Sequence, residues 1–415
     1  MMKTQKNRFS LILLLGLLSA LGPFSIDMYL PGFPIIAADL QTSVDRVSYS
    51  LSSYFVGVCV GQLLWGPLLD RFGRKRPLLF GLIIYIIASL GCAVAGSIEM
   101  LIGFRFLQAL GGCVGMVAPR AVVRDVFPVS ENAKVFSLLL LVIGVSPIIA
   151  PTAGSFVVSA FGWHSVFLVL AVLSALLLIA VILFLSESKA PDPSFSLRPK
   201  PIVGKFLFVV KDPQFYTYAF TGAVASAGLY AYLSGSPFVF MELFGENEHQ
   251  YSWIFAIVAA GLIGSSQLNN LMLKKYSSGQ IIRTALTVQA TVGLLLAIGT
   301  AADWLNLYTT IFLIFLFLCC QGFSFPNASA LSMAPFAKEA GSASALMGAI
   351  QMGMGAIASA MVGVFFNSTA LPMTGVMAAC AVIALLILAF GQRKIRYNAR
   401  VEDIEEQAVD LVEKY

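Results

Sequence analysis

The 415 residues are 58% hydrophobic and only 11% charged, about half the charged share of an ordinary soluble domain. No soluble domain of this size hides so much apolar surface, so the soluble classes are excluded. The net charge of +5 is explained by membrane insertion and the anionic inner leaflet, and nucleic acid is not an expected partner.

The apolar residues form roughly twelve continuous runs, each about 17 residues or longer, enough to cross a ~30 Å hydrocarbon core as a helix. Barrel strands would be ~10 residues long and alternating. The spans are read as 9–37, 48–69, 78–97, 100–119, 134–159, 164–185, 214–240, 252–273, 280–301, 305–329, 341–366 and 372–391. This is an all-α membrane protein of twelve transmembrane helices in two six-helix halves, residues 1–185 and 214–391. Between them lies 186–213, where Pro191, Pro193, Pro199 and Pro201 mix with Lys189, Arg198, Lys200, Lys205 and Lys211, a composition suited to a solvated cytoplasmic linker.

With the N-terminus inside, all of the 26 Lys and Arg residues except Arg46 and Arg105 fall on the cytoplasmic side. Short basic loops stay on that side, so both termini are expected to be cytoplasmic.

The first span follows Lys3, Lys6 and Arg8, as a secretion signal would, but eleven further spans follow and it is read as retained. Inside it stands Asp27, followed by Pro31 and Pro34, which interrupt the helix nearby. An ionisable group within the bilayer costs about 3 kcal/mol or more unless paired or hydrated, so each one is a functional candidate. The second span ends in Gly66-Pro67-Leu68-Leu69-Asp70-Arg71-Phe72-Gly73-Arg74-Lys75-Arg76. Gly66 would let helices approach closely, and Gly73 permits a tight reversal. The fourth span carries Arg105, whose guanidinium cannot lose its proton and so needs an anionic or dipolar partner. A permanent Asp27–Arg105 bridge and a proton-cycling Asp27 are both open at this point.

The fifth span carries Pro147, Pro151 and Gly154. The six cysteines all lie within spans and lack metal-ligand spacing, and no metal or cofactor is expected. His164 and His249 fall at or near outer loops with no catalytic constellation in reach, which speaks against an enzyme. Within the cytoplasmic tail, 392–415, the acidic stretch 401–415 places Val401, Ile404, Ala408 and Leu411 at helical spacing and reads as a surface helix.

The loop from Gly66 to Arg76 resembles the loop signature of the major facilitator superfamily almost residue for residue. Leu101 to Gly111 is similar to the fourth-helix motif, whose arginine is tied to proton coupling. Pro147, Pro151 and Gly154 resemble the antiporter motif, with Ala150 and Ser155 where glycines are usual. Asp27 to Pro31, Pro119 to Asp125 and Ala340 to Leu346 look like the Bcr/CflA branch of bacterial drug:proton antiporters, associated with bicyclomycin and chloramphenicol resistance. The resemblance covers about residues 9–391. It implies the major facilitator fold, a bacterial inner-membrane location, a monomer, and export of small amphipathic compounds by alternating access. It also implies that Asp27 and Arg105 couple protons. Gly66, Asp70, Gly73 and Arg74 would form the gating loop, with Asp70 latching the cytoplasmic side against the positive end of a helix from the second half. Tyr29, Tyr54, Tyr230, Asn327 and Gln351 are the candidate substrate contacts. A metabolite exporter or importer on the same fold is the alternative, for a siderophore, nucleoside or sugar, because fold does not fix substrate. A non-transporting membrane scaffold is a third reading, though it would have no use for Asp27.

Overall fold

The computed structural model describes the backbone of residues 2–127, 129–194, 197–336 and 340–413. It is helical throughout. The first crossing is broken: α1 (Met2–Asp27) stops at the acid, a 3-10 turn occupies Leu30–Gly32, and α2 (Phe33–Asp39) completes it. Pro31 and Pro34 have no N–H to continue the helical ladder, so the break falls where the sequence puts them. Then follow α3 (Val44–Phe72), α4 (Lys75–Ala93), α5 (Ile98–Gly112), α6 (Val114–Val126), α7 (Val129–Phe161) and α8 (His164–Phe184), with α5 and α6 together making the fourth crossing.

The segment read as a plain linker is partly ordered. α9 (Pro199–Lys211) opens with proline in its first turn, where a missing N–H costs nothing. It buries Val209, and Phe208 packs edge-on against Phe336 at 6.4 Å.

The second set is α10 (Pro213–Pro237), α11 (Glu248–Met272), α12 (Ser278–Ala301), α13 (Leu307–Met333), α14 (Ala340–Val364) and α15 (Leu371–Glu413). The expected tail helix is thus a continuation of the last span. Val401, Ile404, Ala408 and Leu411 lie outside the residues whose side chains are described.

Among the described residues, eleven helical segments are long and apolar enough to cross a membrane. The twelfth span, α10, is less apolar because protein surrounds it. It packs on α13, α14 and α15, and Thr217, Thr221, Ser226, Ser234 and Ser236 along it are all buried. A helix with no lipid-facing side needs no lipid-facing Leu or Ile stripe. Lipid-facing apolar side chains occur instead on outer helices, among them Phe80, Ile87, Leu183, Phe184 and Phe312.

Within the first set, α3 packs on α5, α4 on α5 and α8, and α1 on α7. Across the sets, α3 packs along α14 and α7 along α11. One end of the bundle, the loop end, holds the turn between α3 and α4, the linker, and the approach to α14. The other end holds the turns after α2, α4, α7 and α12.

Candidate functional site

The Met28 carbonyl, left at the end of α1, meets α7 at Gly154, where an added Cβ would overlap its oxygen. Only glycine allows the backbones this close, and the contact fixes the break beside Asp27. Elsewhere on α7, Pro147 cannot donate to the Ile143 carbonyl, and the Ser146 hydroxyl donates to it instead at 2.6 Å.

Asp27 is 4% exposed. Among the described residues it has no hydrogen bond and no ion pair, and Arg105 is not among the groups that act on it. Its electrostatic neighbours are Tyr230, Tyr232 and Tyr251, all on α10 and α11 of the second set. The carboxyl therefore faces the seam between the two sets.

Arg105 is enclosed within the first set, fully buried. Its Nη1 donates to Gln108 Oε1 at 2.6 Å, and Gln108 Nε2 donates on to Ser89 Oγ at 2.8 Å. The guanidinium carbon lies 4.2 Å from the Tyr29 ring centroid, 4.3 Å from Tyr54 and 5.8 Å from Phe167. Aromatic faces attract a desolvated cation by about 2 kcal/mol each. Its partner is thus one amide oxygen and a cage of rings, and the reading of a permanent Asp27–Arg105 bridge fails. Nε and Nη2 remain without a hydrogen bond among the described residues.

The turn at the loop end is a charge network. Arg74 Nε donates to Asp125 Oδ2 at 2.7 Å and Nη1 to Asp70 Oδ1 at 3.0 Å. Burial alone would lower the Arg74 guanidinium, but hydrogen bonds and charge from Asp125 and Asp70 raise it above its ordinary value. Asp70 also accepts from Lys189 at 3.3 Å. Gly73 adopts φ +82°, and an added Cβ there would come within 2.7 Å of Glu187 Oε2. Glu187 accepts from the backbone N–H groups of Arg74, at 2.6 Å, and Lys75. Among the described residues, the partners of Asp70 lie in the first set and the linker, whereas the expected partner was a second-set helix end. In this conformation the start of α14 stands across a cavity from it.

That cavity, of about 960 Å³, opens at the loop end between the two sets and α9. Gly66 lines it, and an added Cβ there would meet no atom within 4 Å. The expected close approach at Gly66 is absent because the sets stand apart at this end. On the same helix Gly57 and Gly61 make such approaches, to Ala109 and Cys113.

The opposite end is shut. Ser52 and Ser359 hydroxyls meet at 2.7 Å, Ser252 donates to the Pro151 carbonyl at 3.1 Å, and Ser155 Oγ lies 3.1 Å from His249 Nδ1. Ser155, which stands where the antiporter motif usually has glycine, thus reaches the second set. Sequence reasoning missed these pairs, since serines and a helix-start histidine carry no local mark of a distant partner.

The candidate contact residues separate. Tyr29 and Tyr54 are occupied by Arg105 and do not line the cavity. Tyr230 sits at the seam, edge-on to Phe55 at 4.6 Å, with its hydroxyl 3.6 Å from Met352 Sδ. Asn327 donates to Asn269 Oδ1 at 2.7 Å and to the Phe323 carbonyl, which ties α13 to α11. Gln351 is half-buried on α14. The structure brings Asp27 and Tyr230 to one seam and leaves Tyr29, Tyr54 and Asn327 away from it.

The family model described as Major Facilitator Superfamily matches residues 15–359. An uncharacterized MFS-type transporter of Bacillus subtilis, YdgK, is 36% identical over 95% of this chain and 98% of its own. A bicyclomycin resistance protein homolog of Haemophilus influenzae is 32% identical over 94% and 98%. The multidrug resistance protein MdtL of Escherichia coli is 29% identical over 89% and 92%. Among solved structures, a D-xylose-proton symporter aligns with a TM-score of 0.71 at 14% identity, over 92% of this chain and 97% of its own. A bacterial homolog of the human lysosomal transporter Spinster, inward-facing and occupied, aligns with 0.68 at 16%, over 93% and 97%. At these identities the structural likeness shows the fold alone.

Proposed function

The chain belongs to the major facilitator superfamily, and on that premise we propose that it is a proton-coupled exporter of small amphipathic compounds across the bacterial inner membrane. The resistance names carried by two of its relatives support the substrate class. The observation that carries the reading is Asp27: a buried carboxyl at a helix break, without a cationic partner among the described residues, facing the seam that must open and close.

The loop end is the cytoplasmic end, by its basic residues. The molecule described here then faces the cytoplasm, with the outer end shut by the Ser52–Ser359 and Ser155–His249 contacts. An unpaired carboxylate in a low-dielectric seam is costly, so in this closed-off position Asp27 carries its proton. Opening of the outer end lets Asp27 take its proton from outside as substrate is released, and in the cytoplasm-facing state the proton leaves toward the cytoplasm as substrate rebinds. Arg105 acts through the Tyr29 ring on the break that holds Asp27, since no direct contact joins the two acting groups. The Asp70–Arg74–Asp125 network holds the turn of the first set in shape while the cytoplasmic end is open, and Asp70 is positioned to meet the start of α14 when it closes.

The test is transport in everted vesicles of a panel of amphipathic compounds with a pH gradient imposed and then collapsed. Accumulation should require the gradient and vanish with it. Gradient-independent equilibration of every compound would remove proton coupling from the account.

A further inference from the structure

The wall of the loop-end cavity is strongly basic. Asp70 is the only acidic residue among the side chains lining it, against Arg74, Arg120, Arg124 and Lys205. Asp70 is engaged by Arg74 and Lys189, and Arg74 is divided between Asp70 and Asp125. Arg120 and Arg124 are different. They stand four residues apart on α6, so they share a helix face, and each repels the other. Among the described residues neither has an ion pair. Facing them across the cavity are Gly341, Ser342 and Ser344, in the first turns of α14, where the positive end of the helix dipole also favours negative charge. Two adjacent guanidiniums and a helix start around one open space amount to a standing positive potential, and among the described residues no carboxylate pairs with either guanidinium.

We propose that Arg120 and Arg124 form the headgroup subsite for substrate, and that the exported compounds are amphipaths bearing a carboxylate or comparable oxyanion. The proposal rests on the export reading above and gives it a substrate class. A guanidinium pair suits a planar oxyanion by bidentate hydrogen bonding, and a basic mouth concentrates anions from the cytoplasm. The apolar body of such a compound would lie toward Phe206 and Met333, which line the same cavity. Cationic amphipaths would be repelled by the same wall. Positive charge at a cytoplasmic helix end also serves topology, so the test must separate headgroup recognition from orientation in the membrane.

Equilibrium binding does this without requiring the protein to pump. Full-length protein in phosphatidylcholine nanodiscs is titrated with dansylglycine, a carboxylate, and with its neutral amide. The wild type should bind the carboxylate about tenfold more tightly, a difference of about 1.4 kcal/mol. Arg120→Gln and Arg124→Gln should each bring that ratio toward one while affinity for the amide is kept, which also reports that the variant is folded. Arg120→Lys should retain part of the preference. Equal affinity of the two probes in the wild type overturns the proposal, as does a tenfold preference that survives in the double Arg120→Gln, Arg124→Gln variant. The same titration with phosphatidylglycerol added distinguishes a lipid headgroup: loss of the preference at unchanged amide affinity would assign the two arginines to lipid and count against a substrate subsite. Absence of gradient-driven transport with the binding preference intact would instead fault the export reading.

Discussion

The guanidinium carbon of Arg105 lies 4.2 Å from the centre of the Tyr29 ring, and Tyr29 follows Asp27 by two residues across the break in the first span. The buried cation is therefore connected to the buried acid through the backbone that carries both Asp27 and Tyr29. A salt bridge would make each charge the other's counter-charge, and removing both together would then be mild. This arrangement makes a different prediction. Arg105→Gln leaves the Tyr29 and Tyr54 faces without their cation, and Asp27→Asn removes the proposed proton carrier elsewhere, so the double variant should show no rescue. It should be expressed and inserted yet fail to pump against a gradient. Tyr29→Phe, which keeps the ring over Arg105 and loses the hydroxyl's contact with Ser50 at 3.2 Å, should retain most activity, whereas Tyr29→Leu should lose about tenfold in rate. Initial uptake rates in everted vesicles, normalised to membrane abundance, check all three.

Gly154 and Gly144 lie on the same helix, α7, with opposite surroundings. An added Cβ at 154 overlaps the Met28 carbonyl oxygen, while at 144 the nearest atom is an Ile263 methyl at 3.9 Å. Backbone cannot swing aside as a side chain does, so Gly154→Ala should destabilise by about 1–3 kcal/mol, the usual range for overpacking, and displace the break beside Asp27. Gly144→Ala should be close to neutral. Thermal unfolding of the two variants in detergent gives the comparison.

Ser52 and Ser359 meet at 2.7 Å across the shut end. Replacing both with cysteine, in a background without the six native cysteines, should allow a disulfide that holds this end closed. Transport should fall by at least tenfold under oxidation and return with reductant. Full transport in the crosslinked protein would show that this end need not open.

Much of this was legible in the sequence, and the reasons differ from residue to residue. The break in the first span follows from Pro31 and Pro34, which remove donors, and Gly73 from a reversal that needs positive φ. Asp27 and Arg105 declare themselves because charge within a span is costly. Their partners do not, since nothing local tells an arginine in the fourth span that Tyr29 and Tyr54 will stack on it. Gly66 looked like a packing glycine from its motif, yet its surroundings depend on which end of the molecule is open, a property of conformation and not of spacing. The span that hydropathy marks least, α10, is the one most enclosed by protein. Likewise α9 was hidden by the prolines and lysines around it, because a short helix docked at a cavity mouth needs only a few apolar residues on one side.

Whether Asp27 carries the coupled proton is decided by comparing wild type with Asp27→Asn in two assays on the same proteoliposomes. One is uptake driven by an imposed pH gradient; the other is exchange of labelled for unlabelled compound at equal pH on both sides. Asparagine keeps the size and hydrogen-bonding capacity of the side chain but cannot release a proton. If Asp27 carries the proton, gradient-driven uptake falls at least a hundredfold while exchange stays within about threefold of wild type, margins of about 2.7 and 0.7 kcal/mol. Gradient-driven uptake by Asp27→Asn at the wild-type rate would contradict it.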